Sequence, residues 1–140
     1  MKSSRTTLLL VEDNPDHSSL FMHAMGDACG KCRVVVLKHG PACLEYLGID
    51  EDQSRATPER VPDVIFLDLK LPMVGGLELL EKIRNSPAVR NVPVIVLSSS
   101  RGPDLEESLA RGANMALEKP LDGPDLRTAL AEFCVCEKGS

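Results

Sequence analysis

The feature that most constrains the fold is a set of five short apolar runs separated by polar, helix-like segments. They are Thr6 to Val11, Val34 to Leu37, Val64 to Leu67, Val94 to Leu97 and Met115 to Leu117. Their residues do not alternate apolar with polar, so each run reads as a strand buried on both faces. That is the signature of a parallel sheet covered by helices on either side. Between the runs, apolar residues recur at helical spacing. The sets are Leu20, Phe21, Ala24 and Met25; Leu44 and Leu47; Leu77, Leu80 and Ile83 with Leu79 beside them; Leu105 and Leu109; and Leu126, Ala129, Leu130 and Phe133. Pro15 suits the first turn of the first helix, which should end near Gly26. The pairs Gly40-Pro41, Gly102-Pro103 and Gly123-Pro124 predict helix starts with Gly as cap and Pro as first helical residue. Gly112 falls where a left-handed cap would close the fourth helix. The polar stretch from Gly48 to Pro62 reads as a surface loop. Strand and helix alternate five times, which predicts an α/β, doubly wound five-stranded parallel sheet. Its functional crevice would lie at the carboxyl ends of the strands.

The residues that halt the runs carry the chemistry. Glu12 and Asp13 end the first, Asp68 the third, Ser98 the fourth and Lys119 the fifth. In a parallel sheet these ends share one rim, so three carboxylates, a hydroxyl and an ammonium should converge. Two bare carboxylates ~4 Å apart repel by about 4 kcal/mol at an effective dielectric of 20, so such a cluster calls for a cation. Hard oxygen ligands on an open rim suit Mg²⁺, and the predicted rim ends hold neither Cys nor His, which disfavours zinc. Each acid taken alone could instead cap the following helix. Capping does not account for all five residues at once, and Lys119 has no capping role at a strand end. A carboxylate beside a divalent ion and a lysine can attack a phosphoryl group and become an acyl phosphate. Asp68 is the nucleophile candidate, with Lys119 and Ser98 binding phosphoryl oxygens.

Composition excludes several alternatives. The 140 residues are 43% hydrophobic and 26% charged, as in a single folded domain. Sixteen basic against 21 acidic residues give a net charge of -5, which argues against a nucleic-acid partner. Aliphatic runs such as Leu8 to Val11 are four residues long, too short for a membrane span or a signal-peptide core. A cytoplasmic location is expected. Phe21, Tyr46, Phe66 and Phe133 are the four aromatic residues, so the core must be largely aliphatic. Five cysteines, an odd number, point to reduced thiols. Cys29 and Cys32 have a CxxC spacing, and Cys134 and Cys136 lie near the end of the last helix. They read either as small, tolerated side chains near element ends or as a disulfide or metal contact between the two pairs where those helix ends meet, and neither spacing is specific.

Taken in order, several motifs resemble the receiver domains of two-component response regulators. They are Leu9-Leu10-Val11-Glu12-Asp13-Asn14-Pro15, Leu67-Asp68-Leu69-Lys70-Leu71-Pro72, Gly75-Gly76, Val96-Leu97-Ser98-Ser99, Gly112-Ala113-Asn114 and Leu117-Glu118-Lys119-Pro120. The likeness runs from Leu8 to Phe133 and is nearest to small stand-alone receivers associated with bacterial phytochrome-type kinases. It implies a flavodoxin-like (βα)5 fold with strand order 2-1-3-4-5, and one receiver domain over 1–140 with a core of about 6–134. Only seven residues follow Phe133, so no output domain is expected. The resemblance further implies that Asp68 accepts phosphate from a sensor histidine kinase. Glu12, Asp13, Asp68 and the Lys70 backbone carbonyl would hold Mg²⁺, and Lys119 and Ser98 would sense the phosphoryl group. A cis Lys119-Pro120 bond and a homodimer through the helix 4–strand 5–helix 5 face belong to the same implication.

The sequence also departs from the family pattern. Ala116 replaces the aromatic residue three positions before the lysine, so the usual aromatic rotamer switch has no side chain to act with. Gly75 stands where Asp is common, and the stretch from Ser98 to Gly112 is one residue short. Lys70 and Ser100 occupy positions that tune phosphate lifetime in the family. Two other functions compete with the phosphoacceptor. A metal-dependent phosphatase would need an acid two residues after Asp68, where Lys70 stands; a pseudo-receiver would serve only as a binding module.

Overall fold

The structure, a computed structural model, describes residues 6–28, 32–49, 61–99, 103–119 and 121–133. Five strands alternate with five helices: β1 Thr7–Val11, α1 Pro15–Ala28, β2 Arg33–Leu37, α2 Gly40–Leu47, β3 Val64–Asp68, α3 Gly76–Arg84, β4 Val94–Ser98, α4 Pro103–Ala110, β5 Met115–Glu118 and α5 Gly123–Glu132. The strands form one sheet in the order β2-β1-β3-β4-β5, and every pairing is parallel. This is the doubly wound, flavodoxin-like arrangement.

Burial explains which runs were legible. β1, β3 and β4 are buried along their whole length. Each lies between two other strands and beneath helices on both faces, so continuous apolar sequence is what their surroundings demand. β2 and β5 are the sheet edges and are only partly buried. One apolar layer joins Leu9, Val11, Ile65, Leu67, Val94 and Val96 to α2 and α3 through Cys43, Leu47, Leu79, Leu80 and Ile83. The opposite layer joins Leu8, Leu10, Phe66, Ile95 and Leu97 to α1 and α5 through Phe21, Ala24, Met25, Leu126, Ala129 and Leu130. Fully burying one such side chain is worth roughly 1.5–3 kcal/mol, so these two layers dominate stability.

Several helix details differ from the sequence expectation. Gly40 and Gly123 are the first helical residues rather than caps. The caps are His39, whose Nδ1 accepts from the Ala42 N–H at 3.1 Å, and Asp122, which forms a reciprocal capping box with Asp125. Both side chains accept from orphan N–H groups of the first turn, which glycine lacks the atoms to do. α1 continues past Gly26 to Ala28. Leu20 and Leu109, assigned inward by periodicity, are 54% and 48% exposed. In α3, Leu79 rather than Leu77 is fully buried. Gly112 does adopt positive φ, at 115°.

The end of the sheet opposite the crevice is tied by Arg84. Its Nε donates to the Gly112 carbonyl, one terminal nitrogen to the Arg90 and Val92 carbonyls, and the other to Asn114 Oδ1 at 2.7 Å. The same Asn114 oxygen accepts from the Val94 N–H at 2.9 Å. One planar guanidinium therefore joins the end of α3, the segment before β4 and the turn before β5.

Candidate functional site

Strand register assembles the site. Val11 is level with Leu67, Asp68 with Leu97, and Ser98 with Glu118. Glu12 and Lys119 follow their strands by one residue, so the four halting positions meet on one rim. Glu12, Asp68 and Ser98 are 3%, 4% and 1% exposed, which places polar groups in the core at its upper edge. Asp13 is exposed beside them. One ligand oxygen from each of Glu12, Asp13 and Asp68 lies within 4.8 Å of the others.

Helix capping does not account for these acids. Asn14 caps α1, its Oδ1 accepting from the Asp16 and His17 N–H groups at 2.8 and 3.3 Å. The residue before α3 is Gly75, which supplies no side-chain cap. Asp68 Oδ1 instead accepts from the Lys70 N–H at 3.1 Å, and Glu12 Oε2 from the Asn14 N–H at 3.2 Å. These backbone contacts orient the two carboxylates toward each other.

Lys119 closes the cluster. Its Nζ donates to Glu12 Oε1 at 2.8 Å and to Asp68 Oδ2 at 3.2 Å. The chain holds it in place, because the Lys119 N–H donates to the Ser98 carbonyl at 2.7 Å. Burial pushes the Glu12 carboxyl above the ordinary carboxylate range; the Lys119 hydrogen bond pulls it down, and the Asp68 charge adds to the rise. Two buried carboxylates at this separation repel by about 3–4 kcal/mol at an effective dielectric of 20. A single ammonium cannot neutralise three acids. The donor set is all oxygen, clustered and open to water at Asp13, which fits a hard divalent cation.

Glycine shapes the loop that follows Asp68. A Cβ on Gly76 would lie 2.5 Å from the Asp68 carbonyl oxygen and 2.6 Å from Leu69 Cα, so α3 approaches the Asp68 backbone as closely as it does only with glycine there. Gly75 has open space where a side chain would go. Met73, in the same loop, is a non-glycine residue at positive φ, 68°, and is 72% exposed. Ala116 is half-buried against the α2–α3 side of the core.

The rim also contains a residue that the sequence reading missed. Histidine is absent from the strand ends themselves, but His17 reaches the rim from α1, its Nδ1 lying 2.9 Å from Lys119 Nζ and 3.7 Å from Glu12 Oε2. Its place in the first turn of α1 is the only signal that could have found it, since that turn starts from the rim. Next to this contact is a cavity of about 220 Å³ lined by Leu10, Phe21, Leu97 and Leu121, with Glu12, His17 and Lys119 on its polar side. The Lys119-Pro120 bond, Ser100, most of the loop between Gly48 and Pro62, and Cys29, Cys134 and Cys136 lie outside the described residues. Cys43 is a free, buried thiol.

Comparisons with known proteins agree with this geometry. The sequence model of the response regulator receiver domain matches residues 8–131. The probable methanogenesis regulatory protein FilR2 of Methanothrix harundinacea (strain 6Ac) is 37% identical over 127 residues, which cover 90% of this chain and 79% of that protein. The structure of the bacteriophytochrome response regulator AtBRR is similar with a TM-score of 0.80 and 34% identity, covering 97% of each chain. The Mn²⁺-bound form of response regulator Rcp1 is similar with a TM-score of 0.72 and 27% identity, covering 93% of this chain and 94% of that one. Among the described residues, no helix is long and apolar enough to cross a membrane.

Proposed function

We propose a function from the premise that this chain belongs to the response regulator receiver domain family: it accepts a phosphoryl group from the phosphohistidine of a sensor histidine kinase onto the Asp68 carboxylate. One Asp68 oxygen attacks phosphorus, the P–N bond breaks, and the kinase imidazole leaves with the electron pair. Glu12, Asp13, Asp68 and the Lys70 backbone carbonyl would hold Mg²⁺, which when bound neutralises the acids and the incoming phosphoryl oxygens. The Lys119 ammonium then binds one phosphoryl oxygen and the Ser98 hydroxyl another, so transfer rests on positioning and charge neutralisation.

The observation that carries this reading is the Lys119 ammonium 3.2 Å from Asp68 Oδ2, with the Glu12 and Asp13 carboxylates clustered around the same aspartate. The chain is a phosphoacceptor rather than a turnover enzyme, because Lys70 stands where a general acid would be needed two residues after Asp68. Similarity to a bacteriophytochrome response regulator supports a phytochrome-type kinase as the cytoplasmic partner. Signalling would proceed through changed protein contacts or onward relay, with a homodimer through α4, β5 and α5 as one such contact.

Incubation with acetyl phosphate and Mg²⁺ tests the reading. One base-labile phosphate per chain is expected on a phosphate-affinity gel, absent in Asp68→Asn. Sustained turnover of unrelated phosphate esters would favour a phosphatase instead, and no incorporation from acetyl phosphate or any histidine kinase would favour a binding module.

A further inference from the structure

We infer that His17 is a positioning residue for Lys119: its imidazole supplies the third acceptor that holds the ammonium across the mouth of the acidic site. The inference rests on the phosphoacceptor reading of Lys119. A lysine ammonium has three N–H donors, and here three acceptors meet it: Glu12 Oε1 at 2.8 Å, His17 Nδ1 at 2.9 Å and Asp68 Oδ2 at 3.2 Å. The contact at 2.9 Å requires the ring nitrogen to accept, because an imidazolium would place a proton against an ammonium proton. The ring is therefore the neutral tautomer with its proton on Nε2. Glu12 Oε2, at 3.7 Å, is beyond a hydrogen bond from the same nitrogen.

This division of donors matters for phosphoryl transfer. When Asp68 receives the phosphoryl group, the Lys119 donor now on Asp68 is the one that can move to a phosphoryl oxygen. Glu12 and His17 keep the other two, so Lys119 engages the new group without losing its anchorage. Without His17, the four-carbon stem is tethered at its head by Glu12 alone during transfer, and the ammonium spends part of its time in water. His17 is itself 41% exposed in its side chain and borders the cavity lined by Leu10, Phe21 and Leu97. An apolar side chain can be placed there without overpacking the core.

Single-turnover phosphorylation by acetyl phosphate with Mg²⁺ tests the role, using His17→Leu, His17→Asn, Lys119→Met and the double variant His17→Leu/Lys119→Met. His17→Leu should lower the maximal rate by about 10–100-fold, as expected for loss of one hydrogen bond to a charged group, with the Mg²⁺ half-saturation unchanged. His17→Asn should restore the rate to within about twofold, since Asn Oδ1 can reach the position of Nδ1. In the Lys119→Met background the His17 substitution should change nothing further, as a residue acting through Lys119 must. A wild-type rate in His17→Leu, or an equal loss with and without Lys119, overturns the inference. ¹⁵N NMR of the imidazole at pH 8 separates this from failure of the phosphoacceptor reading, because it needs no phosphodonor. The Nε2–H tautomer is expected in the wild type and a mixture in Lys119→Met; a protonated Nδ1 in the wild type overturns the inference whatever the phosphorylation assay gives.

Discussion

At the residue scale, the polar groups that serve the rim contrast with the thiol of Cys43, which is simply entombed. Cys43 is fully buried between α2 and the sheet, and burial alone pushes its thiol up to about 12 from an ordinary value of 9.0. The unfolded chain therefore loses this proton first. Its contribution to stability is complete below pH 9 and falls as pH rises from 9 toward 12, by about 1.4 kcal/mol per pH unit. Urea titrations of the wild type and Cys43→Ala should show the wild type losing stability faster above pH 9, although the alanine variant is the weaker protein at pH 7. The native Cys43 thiol should react with a thiol reagent at pH 8 only at the rate of unfolding.

Residue-level chemistry at the rim was partly legible. Glu12 and Asp68 were visible because each interrupts a buried apolar run, where an ionisable group is costly unless partnered, and Asp13 and Lys119 because they sit at strand ends on the same rim. His17 interrupts nothing: it sits in a polar first turn of a helix, where His is unremarkable. Only the direction in which that turn projects from the sheet brings it to Lys119.

At the element scale, the strands and the starts of α1 at Pro15 and α4 at Pro103 were easy to read, whereas the starts of α2 and α5 were not. Continuous apolar sequence survives in β1, β3 and β4 because both faces are covered, whereas Gly-Pro at a helix start fits cap-then-N1 as well as N1-then-N2. His39 and Asp122 settle that choice through side-chain acceptors whose partners sequence spacing does not identify. The paired glycines before α3 have opposite roles. Gly75 has φ -68° and ψ 164°, ordinary for a cap, and space for a side chain. Gly75→Ser should stabilise by about 0.5–1 kcal/mol, through a side-chain cap and a less flexible unfolded chain. Gly76→Ala should cost about 1–3 kcal/mol, because its methyl displaces the Asp68–Leu69 backbone. It should also slow phosphate uptake, and chemical denaturation with a phosphate-affinity gel measures both effects. At the other end of the sheet, Arg84 uses a fork geometry that a point charge does not reproduce. Arg84→Lys should destabilise nearly as much as Arg84→Ala, by about 2–3 kcal/mol in urea.

At the scale of the whole molecule, the two layers of core carry the stability and the rim detracts from it. Among the described residues, Glu12 and Asp68 share the Lys119 ammonium with the Asp13 carboxylate clustered beside them, a crowding of negative charge that a bound divalent cation would relieve. Adding Mg²⁺ at a hundredfold excess over Kd should stabilise the protein by about 2.7 kcal/mol, a rise in Tm on the order of 8 °C. Asp13→Asn should raise the Tm in EDTA and abolish most of the Mg²⁺ response; differential scanning calorimetry with and without EDTA measures both. Opposite signs for the two conditions are what distinguish a functional acidic cluster from three unrelated surface charges.

One feature beneath the rim gives the molecule a built-in spectroscopic reporter. Phe21 of α1 and Phe66 of β3 meet edge to face, with ring centroids 4.8 Å apart and planes at 69°. Phe21 also walls the cavity beside Leu10, Leu97 and Lys119. In a chain without tryptophan, these two rings supply local magnetic shielding to the surrounding leucine methyls, whose proton signals should move upfield of the ordinary aliphatic envelope. Any displacement of Lys119 is felt one wall away, so those methyl lines can track occupancy of the rim in an unlabelled sample.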